Sequence, residues 1–480
     1  MPILLLNLAA FALAVTFTAP PVRAQTAVDD LQKRLDAATP GTVIDLPSGN
    51  LRLTQPLVMI RSGSAEQPIT IRPKNKGGVT IEGKAGFLIK GAGHVVIEGL
   101  TFACDNTRPA IELIDCQNIR ITRNRFRVIN TPAPRQNWVH IYGGLSGSNR
   151  IDRNLFEGLS VPGAFIAIDG SEKEPYQISK GDLIEFNHFK DIAASEAGGA
   201  RAIRLGWTGL GASVGQTVVE NNLFDNCDGD TEIITVRSSG QTLRFNTFRN
   251  CSGYVTLRLG SGNTIEANFF QASPREEKVG AIRVHGSDAK VFNNYMEGMT
   301  QPAILLPNGV KTTSPGQVPR PAAKGAAIVF NTLVDCLSGS LDISNDSGGS
   351  WPEQPTNCII ANNVVIAYNA NLIETHGRGQ GVTWLGNIMY HAGDRAKVGL
   401  DLPVDQINIT VPKLRNPGDF WRLGPSSPAI DSALGDFDYV INDIEGQARS
   451  KKKDAGSDES VTGATKNKPL ADTDVGVDLP

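Results

Sequence analysis

A chain of 480 residues is too long for one ordinary compact core, so it encodes either several domains or an elongated fold that adds core by repetition. With 46 Lys and Arg against 49 Asp and Glu, the net charge of −3 excludes holding a polyanion by overall charge and leaves that task to local basic patches. Aromatic residues make up only 6% and there are 50 glycines, which suits short strands and many turns and argues against helix bundles.

Ile3 to Phe17 are almost wholly apolar, and Val22-Arg23-Ala24 has the form of a small-x-small cleavage site. Residues 1–24 therefore read as an export signal and the mature protein as secreted or periplasmic. The apolar run is short for a membrane span, and Pro20 and Pro21 follow it. No later stretch is apolar enough to cross a bilayer. Leu31, Leu35 and Ala38 then recur at helical spacing, predicting a short helix over 28–38 that covers the open edge of whatever follows.

The middle of the chain repeats itself. NIRITRNRF (118–126), SNRIDRNLF (148–156), GDLIEFNHF (181–189) and QTVVENNLF (216–224) share a polar or glycine turn, a few β-formers, an Asn and an apolar pair. QTLRFNTF (241–248), GNTIEANFF (262–270), DAKVFNNYM (288–296) and GAAIVFNTLV (325–334) continue the series, and NCIIANNVV (357–365) and GVTWLGNIM (381–389) are weaker copies. The shortest gap between recurring asparagines, Asn246 to Asn268, is 22 residues, and the longest, Asn294 to Asn331, is 37. A minimum near 22 is one coil of three short strands and three turns; longer gaps are coils with loop insertions. Asn tolerates the left-handed backbone of a turn, and its amide can bond to the Asn of the next coil. The variable period and the missing helical half exclude a leucine-rich repeat, and a propeller needs longer, more even blades. The prediction is an all-β chain: a single-stranded right-handed parallel β-helix of about ten visible rungs over 25–400, with a short N-terminal capping helix. Residues 401–450 read as its C-terminal end and cap. The Lys451–Lys453 run and the polar stretch to Pro480 read as a disordered tail. Cys227 and Cys251 each follow a recurring Asn by five residues, so they stack on adjacent coils as a disulfide or as two buried thiols.

The segment from Asn221 to Gly260 concentrates charge. Asp228, Asp230 and Glu232 stand together, followed by Arg237; Arg258 follows about one coil later and Arg283 another, while Arg204 lies on the coil before. Residues one period apart stack on one face, which predicts a vertical stripe of Arg204, Arg237, Arg258 and Arg283 beside Asp230 and Glu232. Four stacked guanidinium groups repel one another unless something anionic meets them, and their forks match carboxylate and sulfate oxygens. The expected partner is an acidic polysaccharide; the other reading is a set of surface arginines paired with local Asp and Glu. Asp230 and Glu232 could both reach one Ca²⁺. His285, next to the stripe, is placed to touch substrate, and Trp138, Tyr142 and Trp207 could either stack on sugar rings or pack at strand ends. His140, His188 and His285 lack the spacing of a metal centre. No phosphate loop opens a helix, and the basic residues are too scattered for nucleic acid.

IRLG (203–206), the acidic-x-Glu-Ile-Ile block at 230–234 and TLRLG (256–260) resemble polysaccharide lyase family six, the alginate lyase and chondroitinase B family. The resemblance runs from PGTVIDLPSG (40–49) and QPITIRP (67–73) to PSSPAIDS (425–432) and DIEGQARSKKKDAGSDE (443–459). It implies β-elimination beside a uronic acid, alginate first and dermatan sulfate as an alternative. It implies calcium on the positions matching Asp230 and Glu232, a base at Arg237 where the family has lysine, and an acid at Arg258. It also implies substrate-binding arginines at Arg204 and Arg283. The family's asparagine calcium ligand falls in Glu196-Ala197-Gly198-Gly199-Ala200, which has no Asn, so either Glu196 substitutes for it or calcium is weak or absent; Leu259 stands where the family often has His. Two other readings stay open: a β-helix that binds an acidic polysaccharide without cutting it, and a hydrolase using the carboxylates of Asp228, Asp230 and Glu232.

Overall fold

The protein, seen in a computed structural model, is a right-handed parallel β-helix. The described residues are 22–105, 108–127, 136–194, 198–273, 276–310, 319–345, 349–376, 381–461 and 463–479, so most of the expected export signal and Glu196 lie outside them. Three parallel sheets of 13, 14 and 12 strands run the length of the solenoid, each coil giving one strand to each. That is more coils than the repeat shows, because the coils before Asn124 have no buried ladder Asn at the corner.

The α-helix Val22–Asp36 buries Leu31 and Leu35 on the first coil. Its Gln32 imitates a peptide unit. The side-chain amide donates to Val58 O at 2.8 Å and accepts from Val58 N at 2.9 Å, so it pairs the edge strand Leu57–Met59 that would otherwise invite another chain.

Inside, parallel register sets equivalent side chains one strand spacing apart, about 4.8 Å. That distance also suits stacked rings. Phe102, Phe126, Phe156, Phe189, Phe224, Phe248 and Phe270 form one column with centroids 4.5 to 5.0 Å apart and planes within 7° of parallel. The recurring asparagines form a second, buried column. From Asn124 to Asn387 each Nδ2 donates to the Oδ1 of the next at 2.9 to 3.1 Å. The ladder Asn is not itself the left-handed residue of the turn. The left-handed residue is the one before each ladder Asn, for example Arg123, Phe186, Ala267 and Phe330 at φ 54°, 52°, 50° and 54°. Asn is therefore needed for its amide, which can bond up and down the column, and not for its backbone tolerance.

All six cysteines are free and buried, Cys227 and Cys251 among them. Cys251 Sγ lies 3.5 Å from Cys227 N, and burial pushes the Cys227 thiol well above its ordinary value.

The expected disordered tail is the largest correction. Asp454 to Glu459 are buried directly behind the exposed Lys451 and Lys452. The chain turns back and runs as a strap along the solenoid toward its N-terminal end. Gly456 N bonds to Asn362 O, Ser457 N to Thr332 Oγ1, Leu470 N to Thr247 Oγ1 and Gly476 N to Phe186 O, at 2.8 to 2.9 Å. Asp472 pairs with Arg249 at 2.7 Å and Asp478 with Arg125 at 3.3 Å. The strap is anchored by Arg449, which donates to Glu459 Oε2, Asp454 O, Gly456 O and Asn293 Oδ1 at 2.7 to 3.0 Å. The DIEGQARSKKKDAGSDE segment thus encodes a buried polar network beneath an exposed basic turn, and the turn hid the network from a reading of composition.

Burial, with Asp443 and Glu445 close by, pushes the Asp458 carboxyl up to about 7. A carboxyl whose folded pKa exceeds its unfolded value binds its proton more tightly in the folded state. Its contribution to stability is complete below the unfolded value of about 4 and is lost as pH rises through about 7. Asp458→Asn keeps an acceptor for Leu423 N, which bonds to Asp458 Oδ2 at 2.7 Å. Urea melts at stepped pH are therefore expected to show a shallower loss of stability between pH 4 and 7 in this variant than in the parent; parallel slopes would refute the assignment.

Among the described residues no helix is long and apolar enough to cross a membrane.

Candidate active site

The third sheet carries the site. Its outward column passes from Glu112 through His140, Ala167, Arg204, Thr235, Thr256 and Arg283 to Leu305, Asp342 and Glu374. The expected single stripe of four arginines is in fact two columns. Arg204 and Arg283 stand in this one, separated by Thr235 and Thr256. Arg237 and Arg258 stand two residues further along their strands, on the same side as those threonines. A bulge between Val236 and Arg237 sets Arg237 opposite Leu259, so Arg258 is the extra residue of its strand. Coils of unequal length shift register by a residue or two, which sequence spacing alone does not resolve. The result is a broad positive patch in place of a line.

Two carboxylates hold this patch together. Glu232 opens the strand Glu232–Arg237 and is almost fully buried. Its Oε2 accepts from the Thr235 hydroxyl at 2.6 Å, and its Oε1 lies 3.2 Å from Arg258 Nη1, an ion pair without hydrogen-bond alignment. Asp230, in the turn before that strand, accepts from Arg201 Nη2 at 2.5 Å, and the same nitrogen lies 3.7 Å from Glu232 Oε2. Arg201 went unnoticed in the sequence. Its only signal was its place in GGARAIRLG, three residues before Arg204 and one coil before the acidic block. On the other flank Arg204 Nη2 donates to Asp169 Oδ2 at 2.7 Å, and His140 Nε2 lies 2.9 Å from the same oxygen. Asp169 was also unforeseen.

Arg237 makes no ion pair among the described residues. Burial pushes its guanidinium below the ordinary value; Glu232 opposes this, and the like charges of Arg201, Arg258 and Arg204 add to it. Arg258 is also lowered, by burial first, against the pull of Glu232 and with Arg320, Arg283 and Arg201 pushing further down. Glu232 is held below the usual carboxylate range: burial pushes up, but Arg258, Thr235, Arg201 and Arg237 outweigh it. Arg283 lies over the Tyr254 ring at 4.5 Å to the centroid. Tyr254 fits there because residue 280 is glycine; a Cβ would come within 2.2 Å of the ring.

Several expected residues play other parts. His285 is 1% exposed, with Nδ1 2.9 Å from Pro321 O and its ring 6.3 Å from that of Trp351. Burial and the nearby arginines depress its pKa to about 3, so it is a neutral, covered residue and not a substrate contact. Trp138 is core, edge-on to Phe126. Tyr142 donates to Glu112 at 2.7 Å, Trp207 packs against Tyr176, and Asp228 accepts from Ser252 N in a turn. The strap covers His188, which is buried near Asp472.

The Asp230 and Glu232 positions, expected to hold calcium, do not fit a divalent ion as arranged. Calcium takes six to eight oxygens. Among the described residues two carboxylates converge here, and both are already engaged by guanidinium groups.

A family model described as chondroitinase B matches residues 25–410. Among solved structures, the alginate lyase AlyGC superposes with a TM-score of 0.75 and 23% identity, covering 94% of this chain and 57% of that one. A mannuronic acid specific family 6 polysaccharide lyase from human gut microbiota gives 0.67 and 22%, over 79% and 90% of the two chains. The family 6 lyase Pedsa3628 from Pseudopedobacter saltans gives 0.65 and 20%, over 94% and 98%. The chain thus spans little more than half the length of AlyGC. At these identities the structural likeness is one of fold. No curated protein matches.

Proposed function

The chain belongs to the chondroitinase B family, and from that membership we propose that it is a polysaccharide lyase that cleaves a uronate-containing polymer, alginate first among them, by β-elimination. The observation that carries the reading is the convergence of Arg201, Arg204, Arg237, Arg258 and Arg283 on one open face, against the carboxylates of Asp169, Asp230 and Glu232. Five positive charges against three negative leave an excess that a chain of net charge −3 concentrates in one place. Such a face attracts a polyanion and orients its carboxylates through planar forks.

The chemistry follows from the positions. A guanidinium against the uronate carboxylate withdraws charge from it and acidifies the neighbouring C5–H. Arg237, which makes no ion pair among the described residues, takes that proton from its minor neutral form and becomes guanidinium. The C5 electron pair forms the C4–C5 double bond, the C4–O bond breaks, and Arg258 gives a proton to the leaving oxygen. The two arginines stand on adjacent strands, so base and acid face the same stretch of polymer.

Elimination leaves a conjugated, ultraviolet-absorbing uronate at the new end. Purified protein is expected to raise ultraviolet absorbance with alginate or with its poly-mannuronate or poly-guluronate fraction, with dermatan sulfate as a further substrate to try. New reducing ends without absorbance would mean hydrolysis. Binding to all four polymers with neither product would make this a polysaccharide-binding β-helix, the reading that arginine at the base position favours.

A further inference from the structure

We infer that Arg201 takes the place a divalent cation would fill between Asp230 and Glu232, so that this patch is charged and braced by a guanidinium and binds no calcium there. A single atom, Arg201 Nη2, lies 2.5 Å from Asp230 Oδ2 and 3.7 Å from Glu232 Oε2. This is no loose pair at the rim: the side chains of Arg201 and Glu232 are 11% and 4% exposed. A guanidinium presents only N–H donors and cannot ligate a cation. Calcium entering between the carboxylates would have to expel Arg201 from its partners and leave a buried charge unpaired. It would also set two positive charges against Arg258 and Arg237, which flank Glu232 on the other side.

The arrangement also gives Arg201 a role in the site. Its charge stands 3.7 Å from Glu232 Oε2, and Glu232 in turn lies against Arg258 at 3.2 Å. Arg201 is thus a positioning residue for Arg258, and the charge it contributes cannot be stripped by a chelator.

The test is calcium titration of chelator-treated full-length protein, followed by calorimetry and by thermal unfolding. The parent protein is expected to give no binding heat and an unchanged Tm. Arg201→Asn, which frees both carboxylates and adds an amide oxygen, is expected to have a lower Tm without calcium and to recover part of it as calcium is added. A parent Tm that rises with calcium overturns the inference. A folded Arg201→Asn that ignores calcium overturns it too, since the place would then not be a cation's. Should Arg201→Asn fail to fold, the parent titration decides alone, and Arg201→Lys, which keeps the charge, is expected to fold and to ignore calcium. Lyase assays in chelator add an arm that rests on the function proposed above, with the parent rate expected to be unaffected. If no polymer is cut in any buffer, that function fails while the calorimetry still decides the role of Arg201.

Discussion

Alanine in place of Arg237 lowers kcat on the preferred polymer by about 10² to 10⁴, the range that a positioned proton acceptor contributes. Thermal unfolding should be little changed, because Arg237 makes no ion pair among the described residues and a retained fold is what makes the loss interpretable. The pH profile adds a sharper signature. A guanidinium accepts a proton only in its neutral form, so kcat should climb with pH through the alkaline range. Burial and the neighbouring arginines bring that rise to lower pH than an exposed arginine would show. Arg237→Lys is expected to keep activity and move the rising limb further down, since lysine's ordinary pKa, about 10.4, lies well below that of arginine. An alanine variant with undiminished kcat, or a lysine variant with an unmoved profile, would remove Arg237 from the role of base. Arg258→Ala is also expected to abolish cleavage but is the less clean test, because it leaves the buried Glu232 short of a partner.

The second large effect is structural. Arg449→Ala should lower the free energy of unfolding by about 3–5 kcal/mol, the usual consequence of removing one member of a buried ion pair. The Arg449 and Glu459 side chains are 0% and 1% exposed and 3.0 Å apart, so water cannot take over the lost bonds. Asn293 and Gly456 lose a donor in the same step. Chemical denaturation reads the change directly. A loss under about 1 kcal/mol would place Arg449 among ordinary surface pairs, whose median contribution is of that size.

The fold was legible because its internal columns repeat one residue type over many consecutive coils, Asn over ten and Phe over seven. Asn124 to Asn387 and Phe102 to Phe270 are those series, and the coils before Asn124 stayed hidden because they lack the ladder Asn. The patch was half legible. Arg204, Arg237, Arg258 and Arg283 carry the repeat, so the face could be named, but the bulge at Val236 that splits them into two columns has no sequence mark. Arg201 was missed because its partners, Asp230 and Glu232, lie a coil away and looked like ligands for an ion. His285 was misjudged because nothing local announces that Pro321 and Trp351 close over it. The strap was missed because composition averages the exposed Lys451–Lys453 with the buried acids behind them.

Arrays whose coils touch only their neighbours lose structure from the ends inward, each unit melting nearly on its own account. The returning C-terminal segment changes that arithmetic, because one stretch of chain bonds to the coils of Asn362, Thr332, Thr247, Phe186 and Arg125 in succession. Fraying at either end must then also break contacts lodged several turns away. The long solenoid is thereby made to melt as a single cooperative unit, and a face whose five arginines come from four separate coils keeps them in register until the whole gives way.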